Sequence, residues 1–139
     1  ANLHADHLID AVISIGVPLP PETVRVLQAK FPRVQAFGGI AMDDVVSQSL
    51  DEPFVRFQHY MEDLLVRRQM NVFVHCQMGW NRSAALLMLW IRTKVPGVVP
   101  GLIAMDWRLR RSPKVLSNPA FADRVVDGEI VTAPEQARV

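Results

Sequence analysis

The chain has 139 residues, 50% of them hydrophobic and 21% charged, with a net charge of +1. Such a chain can bury roughly two-thirds of its unfolded surface, enough for one domain with its own core, and its near-neutral charge excludes a general drive toward nucleic acid or anionic lipid. The single cysteine, Cys76, excludes an internal disulfide and points to a reducing compartment, cytoplasmic or nuclear.

In chain order, Ala1 to Asp10 carries Leu3, Leu8 and Ile9 and predicts a short helix. The opening residues lack the basic start and apolar stretch of a signal peptide. Ala11 to Ile15 reads as a strand stopped by Gly16. Three prolines between Val17 and Pro21 make a loop, and Pro21 then opens a helix to Phe31 with Val24, Leu27 and Phe31 at helical spacing. Arg33 to Phe37 predicts a second strand, broken by Gly38-Gly39, and Ile40 to Leu50 a polar loop. Phe54 to Gln69 is an amphipathic helix with Phe54, Phe57, Met61, Leu64 and Leu65 on one stripe. Asn71 to His75 is expected to be the central strand.

A helix from Ser83 to Thr93 follows, containing the longest purely apolar run, Ala84 to Ile91. That run is far short of the roughly 20 residues a membrane span needs. Val95 to Pro100 is a break, and Leu102 to Arg111 and Pro119 to Val126 are helices, the latter with Asn118 as a cap. Trp90 and Trp107 fall on helical runs and belong to the core. Residues 1–126 are read as a single domain and 127–139 as a polar C-terminal tail. Strands alternating with helices predict an α/β fold with a parallel-rich sheet.

The chemistry gathers where the strand ending at His75 meets the helix beginning near Ser83. A loop entering a helix N-terminus converges backbone N–H groups on an anion. A thiol at its mouth has its pKa lowered from about 8.5 into the range of roughly 3.5 to 7.5. Arg82 can close over an oxyanion with two parallel N–H bonds, which a lysine cannot do. The loop also lies at the carboxyl end of a strand, where sheets of this class bind ligands.

His75-Cys76-x-x-Gly79-x-x-Arg82-Ser83 resembles the signature of cysteine-dependent protein tyrosine phosphatases, in the form typical of small dual-specificity phosphatases. The resemblance covers roughly Ala11 to Val126. It implies that fold and a phosphatase that uses no metal and no cofactor. Cys76 is then the nucleophile that forms a cysteinyl-phosphate. His75, Gln77, Met78, Gly79, Trp80, Asn81 and Arg82 form the phosphate-binding loop, with His75 tuning the thiol. The general acid is expected on a loop about thirty residues upstream; Asp44 fits best and Asp43 is the alternative. Ser83 can donate to the departing sulfur, cap the helix, or do both. Asn118 and Phe121 match the family's Asn-x-x-Phe segment, which supports the loop.

Trp80 either walls the entrance or packs beneath a neighbouring loop. Arg108, Arg110 and Arg111 are either a solvated face or, through Arg110, a second anion contact.

The implied substrate is a phosphorylated protein bearing phosphotyrosine, phosphoserine or phosphothreonine, since a chain this short has no room for elements that deepen a tyrosine-only pocket. The loop lacks the lysines of phosphoinositide phosphatases. The string Gly79-Trp80-Asn81-Arg82 also resembles RNA 5′-triphosphatases, which usually continue Thr-Gly where this chain has Ser83-Ala84, so an RNA 5′ end is the runner-up substrate. A non-catalytic phosphopeptide-binding module is the alternative of a different class.

Overall fold

The computed structural model describes residues 8–16, 18–76 and 81–127. Among these residues three strands, β1 (Ala11–Gly16), β2 (Ala36–Ala41) and β3 (Val72–His75), form a wholly parallel sheet in the order β2-β1-β3. Parallel neighbours require crossover connections. Helix α1 (Pro21–Lys30) links β1 to β2, and α2 (Asp51–Met61), prolonged by a π-helical stretch (Glu62–Arg67), links β2 to β3. Helices α3 (Arg82–Lys94), α4 (Pro100–Arg110) and α5 (Pro119–Asp127) complete the described chain. None of the described helices is long and apolar enough to cross a membrane.

The expected α/β class and its parallel sheet are present. The central strand, however, is β1, not the strand ending at His75, because β1 pairs with both of the others. Its run Ala-Val-Ile-Ser-Ile alternates, so Ala11, Ile13 and Ile15 are buried on one face while Val12 and Ser14 are half-buried on the other. The buried face meets Phe54 and Phe57 of α2, Leu86, Met88 and Leu89 of α3, and Phe121 and Val125 of α5. Phe57 stands edge-on to Trp90 at 6.5 Å between ring centroids. Trp90 belongs to the core as expected, and Trp107 packs partly buried against it.

Several boundaries differ from the sequence reading. β2 begins three residues later than expected and runs through Gly38-Gly39 instead of stopping there. The two glycines admit close neighbours: a Cβ on Gly38 would lie 2.6 Å from the Tyr60 ring, and one on Gly39 would lie 2.7 Å from the Leu19 backbone nitrogen. Glycine inside a strand often marks such an approach.

The long helix before β3 starts at Asp51 and changes to π geometry at Glu62. The wider π turn rotates the stripe out of phase. Leu64 stays buried, whereas Leu65, expected beside it, is 37% exposed. α4 starts at Pro100, inside the expected break, because proline at the first helical position carries no N–H that needs a partner. Of the two terminal segments, residues 1–7 and 128–139 lie outside the described residues; Leu8 to Asp10 lead into β1 without forming a helix, and Asp127 closes α5.

Candidate active site

Because all three strands are parallel, their carboxyl ends share one edge of the sheet. Gly16, Met42 and Cys76 meet there, with Met42 N–H donating to Gly16 C=O at 3.2 Å. α3 begins at the same edge. It is buried over most of its surface, from Ser83 to Trp90, so its N-terminus is held rigidly.

Cys76 is the last described residue before the loop and is 9% exposed. Its Sγ lies 3.2 Å from Ser83 Oγ and accepts from the Ser83 backbone N–H at 3.5 Å. A backbone N–H donor, a hydroxyl and the positive end of a helix thus converge on one sulfur. Ser83 is only 2% exposed. It is the second residue of α3, not its N-cap, and its Oγ lies beside the sulfur.

Arg82 opens α3. Its Nη1 donates to Met42 C=O at 3.3 Å and crosses Gly16, where a Cβ would come within 2.9 Å of it. Gly16 has φ +143°, a conformation that side-chain-bearing residues avoid. Cys76 and Arg82 form the polar end of a pocket of about 510 Å³ whose apolar walls include Val12, Leu27 and Phe37.

His75 ends β3. Its Nε2 lies 2.7 Å from Ser14 Oγ on β1, and its ring stacks on Phe73, two residues earlier on the same face of the strand. Burial holds its pKa below the usual histidine value of 6.5, so it is neutral at pH 7 and takes part as a neutral hydrogen-bonding ring.

The two candidate acids have different partners. Asp44 Oδ2 accepts from Asn81 Nδ2 at 2.8 Å and its Oδ1 from Asn118 Nδ2 at 3.1 Å. Asp43 is exposed, and its backbone N–H is taken by Gln48 Oε1 at 2.9 Å. Asn118 also caps α5 as expected, its Oδ1 accepting from Ala120 N–H at 3.1 Å, and Phe121 is fully buried beneath it.

Of the basic cluster, Arg108 donates to the Val115 and Leu116 carbonyls, and Arg110 pairs with Asp106 four residues back on an exposed face. Asp106 raises the Arg110 pKa by its hydrogen bond, and this pairing holds the guanidinium to its own helix. Gln77, Met78, Gly79 and Trp80 lie outside the described residues, so the two placements considered for Trp80 stay as expectations.

Two contributors escaped the sequence reading. Gly16 reads there as a strand stop, although glycine directly after a strand also marks a close approach. Ser14 reads as one more strand residue. Asn81 is placed there in the phosphate-binding loop, with nothing nearby in sequence to announce its partners Asp44 and Asn118.

No family model and no curated protein matches the sequence. Solved structures do match its fold. Human DUSP28 superposes with a TM-score of 0.63 at 20% identity, covering 87% of this chain and 77% of its own. The PTP-2 phosphatase of Cydia pomonella gives a TM-score of 0.66 at 17% identity over 93% of this chain and 81% of its own. The human tyrosine phosphatase-like serine/threonine/tyrosine-interacting protein gives 0.56 at 16% identity over 86% and 82%. The chain therefore has the fold of the dual-specificity and tyrosine phosphatases.

Proposed function

We propose that the chain is a cysteine-dependent phosphatase that hydrolyses phosphate monoesters on proteins, phosphotyrosine together with phosphoserine and phosphothreonine. The observation that carries this reading is the joint placement of Cys76, Arg82 and Ser83 at a buried helix N-terminus with the Asp44 carboxyl tied to the same edge.

Cys76 thiolate attacks phosphorus, and the bond to the leaving oxygen breaks as Asp44 gives that oxygen its proton. Arg82 holds the equatorial oxygens through the charge shift. In the second half Asp44, now a carboxylate, takes a proton from the attacking water. The S–P bond breaks while Ser83 Oγ–H donates to the departing sulfur. The scheme draws on the chain's own groups alone.

The test is turnover by the purified protein of phosphotyrosyl, phosphoseryl, phosphoinositide and 5′-triphosphate RNA substrates. Phosphotyrosyl and phosphoseryl ester cleavage, abolished in Cys76→Ser, is the expected result. Preference for the RNA 5′ end would move the substrate class. Tight phosphopeptide binding without turnover would replace the enzyme by a phosphopeptide-binding module.

A further inference from the structure

We infer that Asn81 is a positioning residue that locks the acid loop onto the phosphate site by holding Asp44. The inference rests on the reading of Asp44 as the general acid and adds to it the group that sets the acid's place.

Asn81 occupies the N-cap position of α3, where an asparagine side chain usually accepts from the first backbone N–H groups of its helix. Here it makes no such bond. It is turned the other way and is only 8% exposed. Its Oδ1 accepts from Asn118 N–H at 3.0 Å and from Ser117 Oγ at 3.4 Å, and its Nδ2 donates to Asp44 Oδ2 at 2.8 Å. The orientation of the amide is dictated by chemistry: a backbone N–H can only donate, and a carboxylate can only accept. Asn118 Nδ2 then supplies the second carboxylate oxygen, closing a ring through Asp44, Asn81 and Asn118. Asp44 is otherwise an exposed residue among exposed neighbours, Asp43, Val45 and Val46. Without the ring its loop would have to be ordered at the moment of reaction, at a cost in conformational entropy.

One feature of the sequence ties this residue to the clamp. Asn81 is one position before Arg82, so the peptide unit that carries the phosphate clamp also carries the tie to the acid.

The experiment compares kcat/KM for phenyl phosphate, whose leaving group needs a proton, with that for a nitrophenyl ester carrying an activated leaving group. The variants are Asn81→Ser, Asp44→Asn and the double variant. Serine keeps a favoured N-cap but is too short to reach Asp44. Asn81→Ser should lower kcat/KM for phenyl phosphate on the order of 10²-fold and for the activated ester by less than about tenfold. In the Asp44→Asn background the same substitution should cost less than about twofold, because the group it positions is gone. Equal losses on both esters, or full additivity in the double variant, would overturn the positioning role while leaving the phosphatase intact. An unmutated chain inert toward both esters would overturn the phosphatase reading, and this inference with it.

Discussion

A side chain at position 16 would have to share its space with the Arg82 guanidinium. Gly16→Ala introduces a Cβ 2.9 Å from Nη1 and forces φ +143° on a residue that resists it. The guanidinium is the end of a flexible side chain and will give way, so the damage falls on function more than on packing. A displacement of about 1 Å at a reacting centre can cost on the order of 10²-fold in rate. Gly16→Ala should therefore lose roughly 10-fold to 10²-fold in kcat/KM for aryl phosphates, with weaker tungstate inhibition, while remaining folded by circular dichroism. Native kinetics in this variant would mean that Arg82 does not need its seat on β1. The way the site was readable follows from such distances along the chain. Cys76 and Ser83 are seven residues apart, and their loop announces itself in one glance at the sequence. Asn81 and Asp44 are 37 residues apart and Asn118 and Asp44 are 74, so only the folded chain can show that they touch.

At the scale of elements, β2 is the most instructive. A pair of glycines reads as a break because glycine is the most flexible residue and packs nothing. In the folded chain the pair is the thinnest part of a continuous strand, pressed between the Tyr60 ring and the Pro18-Leu19 backbone. Gly39→Ala should cost about 1–3 kcal/mol in urea denaturation, as overpacking usually does, because its Cβ meets backbone that cannot swing aside. Gly101→Ala is the matched control. Nothing lies within 4 Å of the added methyl, and the site is helical, so stability should rise by about 0.5–1 kcal/mol. If both substitutions moved stability in the same direction, the crowding at Gly39 would not be real. The same contrast explains the other boundaries. Periodicity located α2, whose buried Phe54, Phe57 and Met61 recur every three or four residues, and an unbroken apolar run located α3, which is buried on most sides. It overlooked the π turn after Met61, since one inserted residue shifts the phase without changing composition.

For the molecule as a whole, the candidate site joins parts of the chain that fold on different elements. Arg82 on α3 bonds Met42 beyond β2, Asn81 bonds both Asp44 and Asn118, and Asn118 caps α5. An oxyanion seated between Cys76 and Arg82 binds only when these segments are assembled, so its binding free energy adds to folding stability. At a hundred times its dissociation constant, a ligand that binds the native state alone contributes about 2.7 kcal/mol. For a domain of this length that corresponds to a rise in Tm of roughly 10 °C. Tungstate, which mimics phosphate without being turned over, should produce a rise of this size in a thermal melt. Arg82→Ala should abolish the rise, since a neutral methyl offers nothing to the anion. Cys76→Ser should keep most of it, because the anion is held by donors and not by the sulfur. The Arg82→Ala chain melting with the same tungstate dependence as the unmutated one would place the anion elsewhere and separate Arg82 from the site. A loss confined to Cys76→Ser would make the sulfur, not the arginine, the group that binds.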